Sequence, residues 1–308
     1  MSQQIQIAGI GACVADTLYT LDGFPIEDTK KRAVVSRQVG GGPVATGLVA
    51  ASKLGCNSAY LGNLSEDTAG KFLEQDFEHY NVNTDAVVRY GTEYRSFTSC
   101  IWLNQEKGSR TCVFDKGTLP SYQISEKGRN LLQQVNLLMV DGNDMEAAIE
   151  GAKIVHAAGG KVLYDAGGLY ENVEKLLPHV DVLIPSAEFA RGFTGSDSLL
   201  EAALTLYELF HPEVVVITNG KEGGVRYDGR ECVKYAAFPT KVVDSNGAGD
   251  VFHGAFAAGL MKGYSYAECC IFASMVSSLK CQGLGARESI PDFDTTMQSL
   301  REKGVEFK

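Results

Sequence analysis

The sequence predicts an α/β fold: a three-layer, doubly wound, mostly parallel sheet carrying a small β-sheet as a lid. Two observations lead there. Short apolar runs alternate along the chain with stretches of helical character, the pattern of parallel strands covered on both faces by crossover helices. Two segments, at about residues 12–38 and 92–115, interrupt that alternation with β-rich sequence punctuated by turns. Residues 1–308 are read as one domain with those two insertions.

The elements follow in order. "IQIAGIG" (5–11) reads as a buried first strand, and "VATGLVAASKLG" (44–55) as a helix ended by Gly55 with Lys53 in its last turn. "SAYLGNL" is a strand and "TAGKFLEQDFEHY" a helix. "LLMVDG", "KVLYDAG", "DVLIPS" and "EVVVITNG" are further apolar strands, each closing on a polar or glycine-rich turn. Ligands of such sheets bind beyond the carboxyl ends of the strands, where Asp141, Asp165, Ser186, Thr218 and Asn219 fall.

In the first insertion, "TLYTLDGFP" and "KRAVVSRQV" read as lid strands. In the second, "YRSFTSCIWL", the turn "NQEKGS" and "RTCVFD" read as a hairpin. Phe97, Ile101 and Leu103 fall on one of its faces, Cys100 and Trp102 on the other. A lid needs one apolar face only, so the second is expected to bury against another subunit, giving a homodimer through the lid.

A formal net charge of −10 argues against a partner made of nucleic acid or a membrane surface, since the longest basic run is Lys30-Lys31-Arg32. An anionic substrate must then be held by local dipoles and a metal ion. No run approaches the roughly 18 apolar residues of a membrane span, and the first residues carry no basic leader. The eight cysteines show no C-x-x-C spacing, as expected of reduced thiols in a cytoplasmic protein. The histidines are scattered, without a metal-ligating cluster.

The chemistry concentrates in "DSNGAGD" (244–250). Gly247, Ala248 and Gly249 can aim successive N–H groups at one point, and glycine lets a phosphate approach closely. The helix that follows adds its positive end. Asp250 would face the attacking hydroxyl and accept its proton while the amides hold the phosphoryl group. "GIGACV" (9–14) is a near miss for a dinucleotide fingerprint, with Val14 at the third glycine position, and reads better as a strand end feeding a turn. His253 lies on nearly the same helical face as Asp250 and reads as a buried or supporting histidine. Lys221 reads as an exposed turn lysine.

"DSNGAGDVFHGAF" resembles the C-terminal signature of the ribokinase-like (PfkB) carbohydrate kinases, and "GGGPVATGLVAASKLG" (40–55) their N-terminal glycine signature. "VVVITNGKEGGV" (214–225) resembles their nucleotide loop. The resemblance implies an ATP- and Mg2+-dependent kinase with Asp250 as catalytic base and Gly247, Ala248 and Gly249 as the anion hole. It places Asp16, Gly41 and Gly42 at the sugar, Thr218, Gly220, Gly223 and Ser274 at the nucleotide, and Asp244 where a monovalent cation such as K+ is often linked. The lid sequences "FPIEDTKKRAVVSRQVGGG" and "KGSRTCVFDKGTLP" resemble ketohexokinase relatives, which adds Asp28 and Arg110 on the substrate side. A solvated hairpin arginine is the competing reading of Arg110.

The chain also departs from the family pattern. Ala45 and Gly42 stand where family members carry sugar-binding asparagines. The N-x-x-E magnesium motif appears as "PSAEF", with Ser186 for Asn and Glu188 one residue early. "DAGGL" keeps only Asp165 of a D-x-N-x-R pattern. Four rival readings remain at this level. A nucleoside kinase would use Phe97, Trp102 or Phe114 against a base, and a phosphosugar kinase Arg37, Arg95 or Arg110 for a second anion. A non-catalytic nucleotide or sugar sensor is of another class, as is a nicotinamide-dependent dehydrogenase.

Overall fold

The computed structural model describes residues 4–107 and 109–307. Gly108, the glycine of the expected hairpin turn, lies outside them, as do residues 1–3 and 308. In chain order the strands are β1 (Ile7–Ile10), β2 (Val14–Leu21), β3 (Val35–Gly41), β4 (Ser58–Leu61), β5 (Asn63–Ser65), β6 (Val88–Tyr90), β7 (Thr98–Asn104), β8 (Ser109–Asp115), β9 (Leu137–Val140), β10 (Lys161–Ala166), β11 (Val182–Pro185), β12 (Val214–Thr218), β13 (Gly224–Tyr227) and β14 (Cys232–Tyr235). The helices are α1 (Pro43–Lys53), α2 (Thr68–His79), α3 (Glu126–Leu132), α4 (Met145–Ala157), α5 (Val173–Leu176), α6 (Ala187–Thr194), α7 (Leu199–Phe210), α8 (Ala248–Met261), α9 (Tyr266–Lys280) and α10 (Phe293–Glu302).

Eight strands form the main sheet in the order β14-β13-β12-β11-β10-β9-β1-β4. From β4 to β12 the pairs are parallel, and β13 and β14 close the edge antiparallel. Strand residues alternate between two cores. Ile7, Met139, Leu163, Ile184 and Val216 pack under α1, α8 and α9. Ala8, Leu138, Tyr164, Leu183 and Ile217 pack under α4, α6 and α7. Burial on both faces is what leaves near-continuous apolar runs in the sequence. The stretch read as one strand, "SAYLGNL", is two: Gly62 breaks it, and β5 leaves the main sheet to pair with β6.

The lid is a four-stranded sheet, β3-β2-β7-β8, drawn from both insertions. β2 and β7 run parallel, with β3 and β8 antiparallel on the flanks. No helix among the described residues is long and apolar enough to cross a membrane.

Helix starts explain where the site lies. Asp67 caps α2 through Gly70 N–H, at 2.7 Å, and Ser265 with Glu268 forms a capping box on α9. By contrast α8 starts at Gly247 in a left-handed turn (φ 72°), and no side chain caps it. Its positive end is open to a ligand.

Candidate active site

Asp250 stands half-buried in the first turn of α8. Burial pushes its carboxyl above the usual range, while the charges of His253, Arg110, Lys280 and Arg287 pull it back. Asp16, on β2, is buried and is pushed up to about 6, mainly by burial, with a smaller push from Asp250. Its Oδ1 accepts the Ser99 hydroxyl at 2.6 Å. Asp165, at the end of β10, is held well above the carboxylate range by burial and by Asp250 and Asp141. Carboxylates from β2, β9, β10 and α8 thus face one polar space at the carboxyl ends of the main sheet.

Gly41 and Gly42 line the Asp16 side of this space. A side chain at Gly41 would run into the Asp16 carboxylate, and one at Gly42, whose φ is 92°, into the Ala12 carbonyl. Asp141 supports both. It accepts Ala12 N–H at 2.8 Å, Val44 N–H at 3.2 Å and Asn143 N–H at 3.0 Å. It therefore joins the β1–β2 turn to the start of α1.

On the other side of the α8 start lies a cavity of about 540 Å3, a volume suited to a small organic ligand. Thr218, Gly220, Gly223 and Ser274, all expected at a nucleotide, line it together with Gly249. Lys221 lines it too and is exposed. Tyr235, Phe238 and Phe252 supply apolar walls. A Cβ at Gly249 would meet only open space, so the turn leaves room for a ligand atom. Two shallower clefts, beside Arg226 and beside Arg129, lie away from these groups.

The lid's register assigns its faces. Asp16 pairs with Ser99, Leu18 with Arg37 and Ile101, and Leu103 with Arg110. Paired residues share a face, so Arg37 and Arg110 lie on the face that carries Asp16. The opposite face holds half-buried Cys100 and Trp102, the latter 6.2 Å from the Phe24 ring between centroids. Val113 and Phe114 remain 64% and 61% exposed on β8.

Other expected residues are less central. Asp28 is exposed in the loop between β2 and β3, in a left-handed conformation (φ 60°). No contact among the described residues brings it to Asp16 or Asp250. Glu188 is exposed in the first turn of α6, next to Ser186, whose hydroxyl caps that helix through Phe189 N–H at 3.0 Å. Asp244 is buried, and its carboxylate accepts Asn246 N–H at 2.8 Å and Gly285 N–H at 3.0 Å. No cluster of three metal-ligating side chains occurs among the described residues.

Sequence reasoning missed two buried cations beside these groups, Arg287 and Lys280. Arg287 is 1% exposed, donates to the Gly41 carbonyl at 2.7 Å, pairs with Asp76 and lies over the Phe77 ring. It holds the end of β3, where that lid strand leads into α1. Lys280 ends α9, wholly buried. The only available signal was a charged residue next to otherwise apolar sequence, which ordinarily marks a solvated helix end.

A doubly wound sheet whose strand ends meet a glycine turn, a half-buried carboxylate at a helix start and a β lid has the layout of a small-molecule phosphotransferase. The profile of the pfkB family carbohydrate kinases matches residues 4–292, and the chain belongs to that family. It is thus an ATP-dependent sugar kinase of ribokinase-like fold. It is 29% identical to a sugar kinase of Archaeoglobus fulgidus over 78% of this chain and 97% of that one. It is 25% identical to mouse (Mus musculus) ketohexokinase over 91% and 97%. The structure of Arabidopsis thaliana ribokinase complexed with ribose and ATP superposes with a TM-score of 0.86 at 24% identity, covering 97% of this chain and 99% of that one.

Proposed function

We propose that the enzyme transfers the γ-phosphoryl group of ATP to a primary hydroxyl of a sugar or sugar derivative, with Asp250 as general base. One observation carries this reading. Asp250 lies in the first turn of an uncapped helix, between the nucleotide-sized cavity and Asp16.

Asp16 would accept a sugar hydroxyl and orient the acceptor beneath Gly41 and Gly42. Asp250 would take the proton of the attacking hydroxyl as it adds to the γ-phosphorus in line. The amides of Gly247, Ala248 and Gly249 would hold the charge that develops on the phosphoryl oxygens. Thr218, Gly220, Gly223 and Ser274 would hold the nucleotide against Tyr235, Phe238 and Phe252. Lid closure would exclude water and suppress ATP hydrolysis.

No three metal-ligating side chains cluster among the described residues; Mg2+ would arrive on the nucleotide phosphates, with waters and one or two carboxylates around it. Glu188, in the first turn of α6, would orient such waters. When bound, Mg2+ would neutralise phosphate charge. The Cys100–Trp102 face of the lid would meet a second copy of the chain, making the enzyme a homodimer. Its reduced thiols and use of ATP fit the cytoplasm.

A coupled ADP-release assay over ketoses, aldoses, sugar acids, phosphosugars and nucleosides tests the reading. Asp250→Asn should lower kcat by about 10²–10⁴ with nucleotide binding kept. Lost ATP affinity at unchanged turnover would remove Asp250 from the role. A second reading, an acceptor that already carries an anion, is favoured by Arg37 and Arg110 sharing the Asp16 face of the lid.

A further inference from the structure

Lys280 is 0% exposed, and among the described residues its ammonium belongs to no ion pair. Its Nζ donates instead to main-chain carbonyls, those of Asp244 at 2.9 Å and of Asn246. Both carbonyls belong to the turn that delivers Gly247 and the start of α8. The rest of that turn is tied to the same place. Val243 and Asp244 N–H groups bond the Cys281 carbonyl at 2.8 and 3.2 Å. The Asp244 carboxylate accepts Gly285 N–H, and the Ser277 hydroxyl donates to the Ala248 carbonyl at 2.8 Å.

For stability alone this arrangement is a poor one. Taking an ammonium out of water is costly, and an apolar side chain of similar volume usually serves a core better. What the arrangement does supply is a positive charge under a loop whose task is to receive an anion. The charge also sits at the C-terminal end of α9, where the helix dipole favours a cation. Its field reaches the base: Lys280 is among the charges that pull the Asp250 carboxyl down. Burial draws the lysine's own pKa down, and the nearby Asp244 and Asp250 draw it back up. Carbonyl oxygens turned toward one charge, here those of Asp244 and Asn246, are also how a protein holds an alkali cation, and Asp244 is the residue for which the family resemblance implied one.

We propose that the Lys280 ammonium is the resident monovalent cation of the phosphoryl-binding turn, so that turnover needs no added potassium. Lys280 is a positioning residue. It turns the Asp244 and Asn246 carbonyls inward and leaves the amides of 247–249 facing the phosphoryl group. The inference rests on reading 247–250 as the phosphoryl site.

The test compares turnover in potassium and in tetramethylammonium chloride at equal ionic strength, for the wild type, Lys280→Met and Lys280→Ala. The wild type should be indifferent to the cation. Lys280→Met, which keeps the volume and loses the charge, should lose about 10²-fold in kcat with little change in sugar KM. Potassium or ammonium should not restore it. Lys280→Ala, which opens the space, should regain activity in potassium or ammonium but not in tetramethylammonium. Its melting temperature with Mg-ADP should rise in the same salts. A wild type activated by potassium overturns the proposal, as does a folded Lys280→Met of normal kcat. If neither variant folds, the wild-type comparison decides alone. Should no acceptor be phosphorylated, the phosphoryl-site reading fails, while the salt dependence of Lys280→Ala melting still reports on the lysine.

Discussion

His253 places its Nδ1 3.1 Å from Asp165 Oδ2 and 2.6 Å from the Gly249 carbonyl, while its Nε2 faces the Ile184 carbonyl at 3.0 Å. Both carbonyls are acceptors, so the imidazolium form would donate to each of them. Burial opposes that charge, and the two carbonyls and Asp250 favour it. The ring links the ends of β10 and β11 to the first turn of α8, and so fixes where Gly249 stands. His253→Ala is expected to lower kcat by up to about 10²-fold, the cost of a misplaced reacting group, with a smaller change in ATP KM. Steady-state kinetics check this, and an unchanged kcat would reduce His253 to packing.

The acid limb of activity should lie well above the ordinary carboxylate range. In the proposed mechanism Asp250 would accept a proton and Asp16 a hydroxyl hydrogen, so each would have to be ionised to act. Burial raises both, Asp16 to about 6. Protonation on the way down in pH therefore removes the active form. A profile of kcat/KM against pH should begin to fall near pH 6. A limb near pH 4, the unperturbed range, would mean that neither carboxylate is desolvated in the working enzyme.

The same shift has a stability consequence of definite sign. Asp16 has a folded pKa of about 6 against an ordinary value of 3.8, so between those values the folded chain binds the extra proton. Its contribution to stability is present below the lower value and is lost as pH rises through the higher one. Asp16→Asn cannot ionise and keeps an acceptor for Ser99. Relative to the wild type, the variant should gain on the order of 3 kcal/mol between about pH 4 and pH 7. Denaturant melts at both ends of that range measure the difference. A constant difference would show that the folded carboxylate titrates normally.

Contacts local in sequence made most of the fold and part of the site legible. The apolar strands, the helix ended by Gly55 and the turn around Gly247 are all short-range patterns. Thr218, Gly220, Gly223 and Ser274 do converge on one cavity. Contacts between distant segments stayed hidden. Arg287 meets Gly41 across 246 residues of chain and Lys280 meets Asp244 across 36, and neither segment announces the other. The antiparallel edge hairpin of β13 and β14 was equally silent, since "GGVRYDGRECVKY" carries few of the apolar residues by which the central strands were found. Asp28 was drawn to the substrate by likeness of the lid sequence; it stands exposed in the loop between β2 and β3, and no contact among the described residues ties it to Asp16.

Substrate charge is the last question the lid addresses. Arg37 and Arg110 lie on the Asp16 face, both exposed, and neither forms an ion pair among the described residues. Arg110 also pulls down the Asp250 carboxyl, so its charge reaches the proposed base. A guanidinium can grip a carboxylate or phosphate with two parallel hydrogen bonds, whereas an ammonium acts as a point charge. If the acceptor carries an anion, Arg110→Lys should raise its KM, and Arg110→Ala should raise it further, by about 10-fold or more. Neutral sugars would show no such graded response. Should both variants instead lower kcat equally for neutral and anionic acceptors, Arg110 acts on the transferring phosphoryl group. Paired assays of each variant with a neutral sugar and its phosphorylated counterpart separate the two roles, and repeating them with Arg37→Ala shows whether the anion is held by one arginine or by both.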